Sequence, residues 1–114
     1  MKNVVLESPF QGGNPIYIQY ARMAVLDSLS KNEAPIASHL LYPQPGILHD
    51  FIPKEREKGI RAGNSWIKAA DCLVVYIDFG ITEGMLLGIE EAKKNNIPID
   101  FRSLGNVEMK GSIS

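Results

Sequence analysis

Two carboxylates, Asp78 and Glu83, flank a short turn between the most apolar run of the chain and a helical pattern. A carboxylate in such a place can attack a sugar carbon or serve as a general base while its neighbour holds hydroxyls. It also has a plainer use, because an acidic side chain in the first turn of a helix complements the helix dipole. Gly80 and Thr82 sit in the same turn, where they would shape the backbone and contact a ligand. A second stretch, Ser8-Pro9-Phe10-Gln11-Gly12-Gly13-Asn14, lies between a strand pattern and a helix pattern. Paired glycines let a backbone approach a ligand and turn its N–H groups inward, and the helix start adds a positive dipole end. That chemistry suits phosphate, carboxylate or sugar hydroxyls. Neither GxGxxG nor GxxxxGK[ST] is present, so the alternative is a merely flexible turn.

The third stretch holds His39, Tyr42, Gln44, His49 and Asp50. His39 follows a buried strand pattern and would line a pocket; Tyr42 could contact a base. Two histidines across a Pro-rich turn, with no third ligand in view, do not make a metal signature, so neither a metal nor a cofactor is expected. His49-Asp50 reads as a helix entry. Phe10, Tyr17, Tyr42 and Trp66 could stack on a base or belong to core and interface.

These stretches need elements to hold them. Val4-Val5-Leu6 reads as a buried strand. Asn14-Pro15 opens a helix over about residues 15–31, Asn as cap and Pro at the first helical position. A second strand falls within Ala34–Leu41, followed by the turn YPQPG and a possible short helical turn at residues 47–50. Pro53–Ala70 reads as a helix that Gly63-Asn64-Ser65 could interrupt. Cys72–Ile77 is a continuous β-branched run of the kind buried on both faces. Thr82 caps a helix to about Asn95, and residues 97–101 form a short last strand, its Pro suited to an edge. The order β-α-β-α-β-α-β predicts a three-layer α/β domain with a mostly parallel sheet of four to five strands, flavodoxin- or Rossmann-like. Residues 1–104 make that domain, and 105–114 read as a flexible tail. Its ligands would bind at the carboxyl ends of the strands, where strand order reverses.

The totals bound the function. A chain of 114 residues, 45% hydrophobic and 22% charged, fits one globular domain rather than a disordered chain. The net charge of -1 comes without a basic block, which speaks against nucleic-acid binding. Cys72 is the single cysteine, so no internal disulfide forms, and it reads as a packing residue. No signal core or membrane-length run is visible, and the expectation is a cytoplasmic protein that contacts no membrane. Large aromatic and apolar residues on two helices suggest a homo-oligomer.

The segments Ala70-Asp71-Cys72-Leu73-Val74-Val75 and Asp78-Phe-Gly80-Ile-Thr82-Glu83-Gly84-Met85-Leu-Leu87-Gly88, together with Ser8-Pro and the Gly-rich loop, resemble the nucleoside 2-deoxyribosyltransferase-like superfamily. Its relatives include the 2'-deoxynucleoside 5'-phosphate N-hydrolases. ESPFQGG, ASHLLYPQPG and GITEGMLLGIEEA look like a small branch of that superfamily found in bacteriophages and bacteria. The resemblance covers roughly residues 3–103 and implies cleavage of a base–deoxyribose bond by a dimer or higher oligomer. It places the nucleophilic carboxylate at Glu83 and the hydroxyl-holding one at Asp78. Ser8, Gly12 and Gly13 would take phosphate or ribose, with Pro9, Phe10 and Gln11 beside them. Counted back from Gly88, the nucleophile position falls on Leu86 instead. That mismatch keeps open an alternative: a non-catalytic protein that sequesters or senses a nucleotide-derived signal, as a phage counter-defence protein would. A scaffold with a vestigial pocket is a third reading.

Overall fold

A computed structural model describes residues 1–105. Four parallel strands, β1 (Lys2–Glu7), β2 (Glu33–Ile36), β3 (Cys72–Tyr76) and β4 (Ile99–Arg102), lie in the order β2-β1-β3-β4. The helices are α1 (Pro15–Ser30), α2 (Pro53–Lys68) and α3 (Glu83–Lys94). This is a flavodoxin-like α/β arrangement whose strand order reverses between β1 and β3. Gly105 ends the described residues, so the rest of the expected tail, 106–114, lies outside them.

Strand alternation sorts the core into two layers. Val4 and Leu6 of β1, with Val74 and Tyr76 of β3, face α1 and pack on Tyr20 and Ala24. Val5, Leu73 and Val75 face the other way, onto Ile67 of α2 and Met85, Ile89 and Ala92 of α3. Successive side chains of a strand point to opposite faces, so the same rule assigns the residues just beyond each strand end. Glu7 continues the Val5 face toward α2 and α3. Asp78 continues the Val74–Tyr76 face toward α1.

The helix starts are built as the sequence indicates. The Asn14 side chain accepts the Ile16 N–H at 3.0 Å with Pro15 at the first helical position. Thr82 Oγ1 accepts the Met85 N–H at 3.3 Å. Two expectations need correction. The second strand stops at Ile36, and Ser38–Leu40 forms a 3₁₀ turn that carries His39. Residues 47–50 make turns rather than helix. The helix expected over Pro53–Ala70 is α2, and it runs unbroken through Gly63, which packs on the 3₁₀ turn: a Cβ there would stand 2.6 Å from Ser38 Oγ. No helix among the described residues is long and apolar enough to cross a membrane.

Candidate functional site

A cavity of about 290 Å³ opens at the carboxyl ends of β1 and β3, near the lower end of the range for small-molecule sites, about 300 Å³. Its floor is the end of β1, Glu7 and Ser8, with Phe10 and Gln11 beyond. Ser38 and His39 from the 3₁₀ turn close one side. Arg56, Gly59, Ile60, Gly63 and Asn64 of α2 form a second wall, and Thr82 to Met85 at the start of α3 a third. Pro43, Leu48 and Asp50 complete it from the loop before α2.

That loop is tied down at several points. Gln44 Nε2 donates to the carbonyls of Leu40 and Leu41 at 3.2 and 2.8 Å. Glu55 accepts the His49 N–H at 2.6 Å, and this bond holds its carboxyl below the usual range. Arg56 Nε stands 4.0 Å from Asp50 Oδ1, a loose ion pair, and its guanidinium tip lies beside Gly84 at the start of α3.

Glu7 is the most perturbed acid in the cavity. Burial pushes its pKa from 4.5 to about 8, so it carries its proton at neutral pH. None of the hydrogen bonds among the described residues involves its side chain. Beside it, Ser8 Oγ lies 2.7 Å from His39 Nε2, and Ser8 is 3% exposed. Burial pulls the His39 pKa down to about 4, so the imidazole is neutral at pH 7. Phe10 meets the His39 ring edge-on at 6.4 Å between centroids. The cavity thus offers a protonated carboxyl, a neutral Ser–His pair, an aromatic face and one guanidinium.

The residues singled out from sequence divide into two groups. Ser8, Phe10, Gln11, His39, Thr82 and Glu83 line the cavity together. Pro9, Gly12, Gly13, Tyr42, Gly80 and Asp78 do not line it. Gln11, Gly12 and Gly13 have φ of 44°, 70° and 90°, a left-handed run that reverses the chain. The Gly13 N–H is spent on the Phe10 carbonyl at 3.1 Å, so that glycine closes the turn. Gly80, at φ 84°, shapes the turn after β3. Tyr42 accepts the Trp66 indole N–H at 2.8 Å on the outer side of α2.

Asp78 is separated from Glu83 by the sheet face it occupies. Its carboxylate accepts the Tyr20 hydroxyl, the Ser103 hydroxyl at 2.6 Å and the Leu104 N–H at 2.9 Å. Burial alone would raise its pKa, but those donors more than offset it and hold the group below the usual carboxylate range. Asp78 therefore joins α1 to the segment after β4, and the expected Asp78–Glu83 pair is not assembled in the cavity. Glu7 is the residue that sequence reasoning passed over. Its signal was available: a Glu in line with Val5, one step before the turn, on the face opposite Asp78. Among the described residues no group of three or more His, Cys, Asp and Glu side chains could hold a metal ion.

The family described as "Domain of unknown function (DUF7768)" matches residues 2–102, which spans every strand and helix of the fold. No curated protein matches the chain.

Proposed function

We propose that this chain, which belongs to the DUF7768 family, binds a nucleoside- or nucleotide-like molecule and cleaves its base–sugar bond by acid–base chemistry, as an N-glycosidase or deoxyribosyltransferase. The observation that carries the reading is the place of the Glu7 carboxyl, which lines the cavity without a hydrogen-bond partner among the described residues and whose pKa burial pushes up to about 8. A general acid works best when its pKa lies near the working pH. The nucleoside itself comes from the motif resemblance at Ser8-Pro and Asp78–Gly88.

In this reading Glu7 gives its proton to the departing base, which leaves with the electrons of the glycosidic bond. Glu83 at the start of α3 meets the charge that develops at the sugar carbon, either by bonding to it or by stabilising it until water adds. Ser8, Gln11 and His39 hydrogen-bond the ligand and Phe10 packs on it. Incubation with a mixed nucleoside and nucleotide pool, read by mass spectrometry, tests this. Free base should appear, and Glu7→Ala or Glu83→Ala should slow its release by roughly 10²–10⁴-fold. Undiminished release in both variants sinks the assignment.

One observation favours the second reading, a binding protein without turnover. Asp78, the hydroxyl-holding partner in the motif, is fully engaged by Tyr20, Ser103 and Leu104. Such a protein would sequester or sense a nucleotide-derived signal and return it unchanged after long incubation. Both readings include a homo-oligomer, with exposed Phe51, Ile47 and Trp66 as contact residues; a monomeric mass by light scattering would remove it.

A further inference from the structure

Glu7 is seated against the backbone of α3. A Cβ on Gly88 would stand 2.8 Å from Glu7 Cδ and closer still to one carboxyl oxygen, so only glycine at 88 leaves Glu7 where it is. Every buried side-chain oxygen and nitrogen among the described residues has a partner. The carboxyl oxygens of Glu7, which have none, therefore open onto the cavity. The result is a cavity-lining carboxyl fixed in place by packing, with neither oxygen bonded among the described residues.

We propose that Glu7, held in position by Gly88, reads the edge of the nucleobase and selects bases that carry a hydrogen-bond donor beside the atom that receives the proton. The inference rests on the nucleoside-binding reading above and names its substrate class. A neutral carboxyl presents one O–H donor and one C=O acceptor side by side. Burial keeps Glu7 in that form at pH 7. When its O–H faces N7 of a purine, its C=O faces position 6. Adenine offers an amino donor there and closes a second hydrogen bond. Guanine and hypoxanthine offer an oxygen and oppose two acceptors. When its O–H faces O2 of a pyrimidine, its C=O faces N3, which is a donor in uracil and thymine and an acceptor in cytosine. The cavity therefore takes adenine among purines and uracil or thymine among pyrimidines.

The test uses pairs that differ by one group. Binding of deoxyadenosine against deoxyinosine, and of deoxyuridine against deoxycytidine, is measured by calorimetry at pH 7. The wild type should prefer the first of each pair about tenfold, the scale of one bidentate contact. Glu7→Gln keeps a donor and an acceptor in place and should keep the preference, while base release is lost because an amide gives up no proton. Glu7→Ala should bind all four alike. Gly88→Ala should displace the carboxyl and lose the preference as well. Equal binding by the wild type, or a preference that survives Glu7→Ala, overturns the inference and leaves nucleoside binding standing. Failure of all four to bind, both as nucleosides and as their 5'-monophosphates, overturns both.

Discussion

Glu7 holds a proton that the unfolded chain releases, and this has a consequence for stability. Its pKa is 4.5 as a free side chain and about 8 in the fold. Between those values the folded state binds one more proton than the unfolded state, so the contribution of that proton to stability falls as pH rises through the window and is gone above it. His39 acts in the opposite sense. Its pKa drops from 6.5 to about 4, so the unfolded state binds the extra proton and stability rises over that range. The two slopes cancel between about pH 4.5 and 6.5, and the Glu7 slope stands alone from there to about 8. Glu7→Gln removes it. The unfolding free energy of that variant relative to wild type, followed by thermal melts, should climb by about 2 kcal/mol from pH 6.5 to 8.5. Parallel melting curves across that range would mean that Glu7 ionises normally, and its role as acid would fall with them.

At the scale of elements, two glycines on α2 should respond to the same substitution with opposite signs. A Cβ at Gly59 would find Leu48 Cδ1 at 3.4 Å, an ordinary contact. Gly59→Ala should gain up to about 1 kcal/mol from helix propensity. At Gly63 the new Cβ would press on Ser38 Oγ at 2.6 Å, which forces that hydroxyl to rotate, and on Ser38 Cβ at 3.3 Å, which moves only with the 3₁₀ turn that carries His39. Overpacking costs about 1–3 kcal/mol, so Gly63→Ala should be net destabilising despite the better propensity. Urea unfolding of both variants decides it, and a stabilised Gly63→Ala would show that the turn is free to move. The pair also shows what was legible beforehand. Local patterns located the three α-helices and the central strands β1 and β3, because β-branched runs, 3.6-residue stripes and cap residues are local signals. The glycine-asparagine-serine stretch left the continuity of α2 open, because the partner of Gly63, Ser38, lies far off in sequence. The same limit applied to the site. Ser8, His39 and Glu83 were found because they follow strands or begin a helix. Asp78 was paired with Glu83 because the two are near in sequence, although strand alternation sends Asp78 to the α1 face. Only the face assignment, which needs a strand's exact end, separates it from Glu7.

For the molecule as a whole, a polar network on the α1 face ties the two edges of the sheet together. Arg102 of β4, at one edge, bonds Glu33 of β2, at the other, through both terminal nitrogens at 2.8 and 2.7 Å. Ser28 donates to the same Glu33 at 2.7 Å, and Tyr76 links Arg102 to Asp27 of α1. Each partner of the ion pair is 12% exposed, so it is shielded from water and salt far more than a surface bridge. The Arg102 guanidinium and the Ser28 hydroxyl hold the Glu33 carboxyl below its ordinary pKa, so the stabilisation is present above that value and lost as pH falls through the depressed one. Arg102→Leu leaves Glu33 charged and unpaired and should cost about 3–5 kcal/mol. Replacing Glu33 by Leu in the same chain removes the stranded charge and should restore much of that loss, since a buried pair contributes little net stability over apolar residues. Chemical unfolding of the single and double variants separates the two terms. A single variant that loses less than about 1 kcal/mol would put the pair in the class of exposed bridges.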